Sequence, residues 1–119
     1  MKMGTLKDAI EDLLNNQKLT VSEAANMHFA PDFQQRINGN WIDRTTFITQ
    51  IEALRQTVKE VTITVLDELD NTKSYAERHV IKLMMHDGQR ICQEVYVFAE
   101  RDHNKLFTKI EETTLKLST

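Results

Sequence analysis

Tyr75-Ala-Glu-Arg-His-Val-Ile-Lys-Leu-Met-Met85, His86-Asp87-Gly88 and Gln89-Arg-Ile-Cys-Gln-Glu-Val-Tyr-Val-Phe-Ala99 read as two long strands around a tight turn. Asp-Gly between two apolar runs is a strong hairpin signal, because Gly tolerates the positive φ that such turns need. Apolar residues fall on both parities of each run, so both faces of this hairpin need cover. At least some of Arg78, His79 and Glu94 then face something other than water. Polar groups held in a mostly apolar concavity mark a ligand site.

Working outward, Val61, Ile63, Val65 and Leu69 alternate with Thr62, Thr64 and Glu68, a period of two that predicts another strand. Asp70-Asn-Thr-Lys73 turns the chain into Tyr75. Asp102-His-Asn-Lys105 turns it again, into a last strand from Leu106 to about Leu117. These connections are short, so the four strands are expected to form an antiparallel meander.

The first half has the helical period instead. Leu6, Ala9, Ile10, Leu13 and Leu14 recur at i, i+3, i+4, i+7 and i+8. Thr5 with Asp8 resembles a capping box, and Thr20-Val-Ser-Glu23 is one; it opens a second helix to about His28. Pro31 marks that helix's end. Phe33, Ile37, Trp41 and Ile42 flank Asn38-Gly39, a second hairpin signal. Asp43 caps a third helix to about Lys59, with Phe47, Ile48, Ile51, Leu54 and Val58 as its buried stripe. The order helix, helix, hairpin, helix, four strands predicts one α+β domain over residues 1–119, its helices segregated to one side of a curved antiparallel sheet.

The chain has 119 residues, 40% hydrophobic and 28% charged, with a net charge of -3. That length supports a core without disulfides or metals. No Lys/Arg cluster appears, which argues against nucleic-acid binding. No apolar run approaches the ~20 residues of a membrane-spanning helix. Cys92 is the single cysteine, so no intrachain disulfide forms, and a reducing, cytoplasmic setting is expected. It reads as a small buried hydrophobe. The histidines His28, His79, His86 and His103 show no metal-ligand spacing, and no glycine-rich phosphate loop exists, so no metal or cofactor is expected.

Three features together resemble the nuclear-transport-factor-2-like superfamily, in particular its SnoaL-like branch of small bacterial proteins. They are the element order, Phe29-Ala-Pro-Asp-Phe33 followed by Arg36-Ile-Asn-Gly-Asn-Trp41, and the closing Glu94-Val-Tyr-Val-Phe98, Lys105-Leu-Phe107 and Ile110-Glu-Glu-Thr113. The resemblance covers nearly the whole chain. It implies a cone-shaped domain whose helices leave a pocket at the open end of the sheet. Members range from isomerases, cyclases and dehydratases to modules without known activity, so the fold does not fix the function. Ketosteroid isomerases of this superfamily use a carboxylate base, a Tyr on the first helix and a protonated acid on a later strand. The first two places fall near Ile37 and Leu13, both apolar. The third falls on Glu94.

Glu94 shares its parity with Cys92, Tyr96 and Phe98. If that face is concave, Glu94 serves as acid or base; the alternative is a structural carboxylate paired with Arg78 or Arg36. Arg78 and His79 are adjacent and point to opposite faces. The family register favours Arg78 as the pocket residue, while His79 would be the better base if it were inside. Trp41, Tyr96 and Phe98 are candidate pocket walls, and Arg36 a candidate contact for an anionic ligand. Two functions are expected to compete. One is a binding protein for a small apolar or carboxylate-bearing molecule, with Glu94 and His79 as candidate groups for a cofactor-independent isomerase or lyase step. The other is a non-catalytic dimeric module with a self-filled pocket. A homodimer through the sheet would cover the face that the helices leave open.

Overall fold

The computed structural model describes residues 4–117. Helix α1 (Leu6–Leu14) and helix α2 (Val21–His28) both open on complete capping boxes, Thr5 with Asp8 and Thr20 with Glu23. Each box satisfies two backbone donors that the first helical turn leaves free. Strand β1 (Phe29–Ile37) follows α2 without a loop and turns through Asn38-Gly39 into β2 (Asn40–Asp43). Asn38 and Gly39 both take positive φ, 48° and 90°, as the turn requires. Asp43 then caps α3 (Arg44–Thr57), its side chain accepting from Thr46 N at 2.8 Å.

Four long strands complete the chain: β3 (Val58–Asp70), β4 (Ser74–Met85), β5 (Arg90–Arg101) and β6 (Phe107–Lys116). Val58 belongs to β3 rather than to the helix. The strands form the expected antiparallel meander within one six-stranded sheet, ordered β2-β1-β6-β5-β4-β3. The expectation of a wholly antiparallel sheet is corrected at one ladder: β1 runs parallel to β6. No short turn links those two strands, so nothing local imposes an antiparallel direction on them.

The three helices lie on the concave face, as expected. Leu13 and Leu14 of α1, Phe47 of α3 and Phe29, Phe33, Tyr75, Phe107 and Ile110 of the sheet form the core between them. The rings of Phe29, Phe33 and Phe47 stand 4.7 to 5.1 Å apart. Edge strand β3 is held to α1 by Asn15, which donates to Val61 O at 2.8 Å and accepts from Val61 N at 3.0 Å. That pair occupies backbone groups an edge strand would otherwise leave open. Arg101 closes one end of the sheet. Its buried guanidinium donates to Asp70 and to Gly4 O, and lies over the Tyr75 and Phe107 rings at 5.0 and 4.9 Å.

Helix α3 buries only Phe47 fully; Ile48, Ile51 and Leu54 of its expected stripe are half-buried. The reason is space. Ile51 and Leu54 border a cavity between the helices and the sheet instead of packing onto it.

Candidate functional site

This cavity has a volume of about 180 Å3. Its walls are mostly apolar, from α1, α3 and the concave face of the sheet, and four polar side chains reach it: Gln35 of β1, His79 of β4, Gln93 of β5 and Glu112 of β6. A few convergent polar groups in an apolar concavity are the arrangement of a small-molecule site.

Strand alternation sets the cavity's polar wall on β4. Tyr75, Glu77 and His79 are two residues apart, so all three point to the concave side, with Ile81 and Leu83. His79 Nδ1 stands 2.9 Å from Glu77 Oε1, and both side chains are buried. Among the described residues, Nε2 of His79 has no hydrogen-bond partner. A carboxylate at one imidazole nitrogen fixes the ring's orientation and tautomer and leaves the other nitrogen for chemistry. The second Glu77 oxygen faces the Tyr75 hydroxyl at 3.1 Å, and that hydroxyl lies 2.9 Å from Glu68 Oε2. Burial pushes the Tyr75 phenol well above its ordinary range, and the carboxylates of Glu77 and Glu68 add to the rise. Tyr75 therefore keeps its proton.

Across the cavity, Glu112 Oε1 accepts from Gln35 Nε2 at 2.6 Å. Burial raises the Glu112 carboxyl above its ordinary value; the Gln35 hydrogen bond and nearby His79 oppose the rise, and Glu77 adds to it. An acid held up by burial and an oriented imidazole thus share one cavity. Environments that separate two titratable groups in this way suit one as proton donor and the other as acceptor.

The residues singled out from sequence divide between the two faces. His79 is inside. Arg78 is outside, so the register that favoured Arg78 as the pocket residue is corrected: α1 and α3 cover the face carrying His79. Glu94, Tyr96 and Phe98 also lie on the outer face, with Tyr96 and Phe98 exposed. Glu94 is paired to Arg78, whose Nη1 donates to its Oε1 at 3.0 Å, while Nε and Nη2 donate to Asp67 Oδ2 at 3.0 and 2.7 Å. Arg36 reaches Glu111 at 3.4 Å, and Trp41 stands exposed opposite it on β2. None of these six lines the cavity. Gln35, Glu77, Gln93 and Glu112 were not singled out from the sequence. Glu77 shared the parity of His79, Ile81 and Leu83, and that alternation was the signal for it. Gln35 and Glu112 carry no local signal, because the parallel β1–β6 ladder brings them together across 77 positions.

Among the described residues no group of three His, Cys, Asp or Glu side chains is placed to hold a metal ion. No helix among them is long and apolar enough to cross a membrane.

No family model and no curated protein sequence matches the chain. Solved structures do. A provisionally assigned isomerase from Rhodopseudomonas palustris is similar with a TM-score of 0.71 at 11% identity, over 92% of this chain and 84% of that one. A nuclear-transport-factor-2-like protein of unknown function from an Exiguobacterium species matches with a TM-score of 0.68 at 12% identity, over 97% of this chain and 100% of its own. A provisionally assigned SnoaL-like polyketide cyclase from a Jannaschia species matches with a TM-score of 0.67 at 7% identity, over 91% and 83%. At these identities the likeness is one of fold.

Proposed function

We propose that this chain, which has the nuclear-transport-factor-2-like fold, binds a small, largely apolar molecule in its concave cavity and moves a proton on it without a cofactor. His79 is the acceptor and Glu112 the donor, a pairing suited to an isomerase or lyase step. One observation carries this reading: the His79 imidazole is anchored by Glu77 at Nδ1 and, among the described residues, has Nε2 unpaired at a mostly apolar cavity. General acid–base catalysis needs a group within hydrogen-bond reach of the transferred proton, and an oriented Nε2 meets that need. At about 180 Å3 the cavity is smaller than the roughly 300–1,000 Å3 of drug-sized sites, so the ligand is a small one.

A thermal-shift screen against small apolar carbonyl and carboxylate compounds tests the binding. A ligand of the native state raises the unfolding midpoint by mass action. His79→Gln should remove or weaken the shift and abolish any turnover, while Glu94→Gln on the outer face should leave both intact. A ligand shift that His79→Gln leaves untouched, or that Glu94→Gln abolishes, would place the site elsewhere.

The outer face supports a second reading, a dimeric module. Leu69, Ala76, Phe98, Glu111, Arg36 and Trp41 lie in one cross-strand row on it. Leu69, Phe98 and Trp41 are 76%, 51% and 49% exposed. Leu69, Ala76 and Phe98 form an apolar run on three neighbouring strands, with the Arg36–Glu111 pair between it and Trp41, and such a run suits a self-complementary contact with a second copy. The two readings are compatible, since they use opposite faces.

A further inference from the structure

The bottom of the cavity wall connects to the protein surface through side chains alone. His79 Nδ1 meets Glu77 Oε1 at 2.9 Å, Glu77 Oε2 meets the Tyr75 hydroxyl at 3.1 Å, and that hydroxyl meets Glu68 Oε2 at 2.9 Å. Glu77 and His79 are buried, Tyr75 is buried, and Glu68 is exposed. The chain of contacts therefore begins in the cavity and ends in solvent.

The backbone arranges this alignment deliberately. Val65 faces His79 across the β3–β4 ladder, yet the next pair is Asp67 with Arg78, so Leu66 is an extra residue in β3. A bulge of this kind re-aims the side chains beyond it. Without it Asp67 and Leu69 would share the concave parity of Val65. With it Glu68 stands directly opposite Glu77 on the same side. Two carboxylates directly opposite on one face repel, unless a shared proton lies between them. The Tyr75 hydroxyl stands between them, 2.9 Å from Glu68 Oε2 and 3.1 Å from Glu77 Oε2.

We propose that Glu68, Tyr75 and Glu77 form a proton relay that joins His79 in the cavity to bulk water, with Glu68 as its solvent terminus. The inference rests on the proposed role of His79 as proton acceptor. With one hydrogen on the Glu77 carboxyl, the transfer balances at each group. His79 Nε2 takes a proton from the bound molecule, and Nδ1 passes its own to Glu77 Oε1. Glu77 Oε2 passes its hydrogen to the Tyr75 oxygen, and Tyr75 passes its hydrogen to Glu68 Oε2, which releases it to water. His79, Glu77 and Tyr75 end with as many hydrogens as they began with. None of these three is left charged, and the negative charge left on the bound molecule passes to Glu112 when that acid donates its proton. Tyr75 never becomes a phenolate, consistent with its raised pKa. Tyr75 and Glu68 are positioning residues in this scheme, since they act on the bound molecule only through His79.

Exchange of the His79 imidazole N–H with water, followed by nitrogen-15 NMR on the full chain without ligand, tests the relay. Glu68→Gln and Tyr75→Phe should each slow this exchange at least tenfold. Glu68→Asp should restore part of it, a rescue that a merely structural role would not produce. Exchange at the wild-type rate in Glu68→Gln would overturn the relay. Should Tyr75→Phe fail to fold, the exposed Glu68 variants decide the matter alone. The readout needs no substrate, so a relay that fails here is distinguishable from a cavity that binds nothing in the thermal-shift screen.

Discussion

His79 Nδ1 lies 2.9 Å from Glu77 Oε1, with 2% and 0% of the two side chains exposed. Two ionisable groups this deeply buried are held by each other, and removing one strands its partner. Glu77→Ala should therefore cost about 1–3 kcal/mol, the scale of leaving a buried hydrogen-bonding group without its partner. Urea unfolding followed at constant m-value measures it. The double variant Glu77→Ala, His79→Ala should lose clearly less than the sum of the two singles, because neither partner is left unpaired. Additive losses would show that the two groups are not coupled.

Glu112 gives a pH signature of known sign. Its carboxyl is held above the ordinary value of 4.5 in the folded chain, chiefly by burial. The folded state then keeps a proton that the unfolded state has released. Its contribution to stability is full below the ordinary carboxylate range and is lost as pH rises through the raised value. Glu112→Gln cannot ionise and keeps a partner for Gln35. Its unfolding free energy should match the wild type near pH 4 and exceed it increasingly toward pH 7, by about 1.4 kcal/mol for each unit of displacement. A difference independent of pH would contradict the raised value.

The outer face has its own test. Wild-type protein is expected to sediment as a dimer at micromolar concentration. Phe98→Glu, placed at the end of the apolar run of Leu69, Ala76 and Phe98, should shift it to monomer without changing the unfolding free energy of the monomer by more than about 0.5 kcal/mol, since the position is exposed. Ligand shifts in the cavity should persist in that monomer. Wild-type protein that sediments as monomer at this concentration would remove the dimer.

The sequence by itself determined the elements and the fold class. Thr20-Val-Ser-Glu23, Asn38-Gly39, Asp43 and Asp87-Gly88 are local signals whose physics acts within four residues: caps satisfy the first helical turn, and Asn-Gly or Asp-Gly admits the positive φ of a hairpin turn. The change of period from 3.6 to 2 after Val58 is equally local. Strand alternation also determined that Arg78 and His79 face opposite ways. What it left open was which face the helices cover, and only tertiary packing decided that. Once α1 and α3 sit on the face of His79, the Glu94 side chain turns outward to Arg78, and Ile81, Val95 and Ile110 line the cavity. The bulge at Leu66 was likewise invisible, because an extra residue in one strand exists only relative to its neighbour's register. It turns Leu69 to solvent and Glu68 toward Tyr75, reversing the alternation of Val61, Ile63 and Val65. Gln35 and Glu112 meet only because β1 lies parallel beside β6. Capping and turn chemistry act between neighbours in the chain. A cavity and its polar groups are properties of elements far apart in sequence, brought together by the burial of their shared apolar faces.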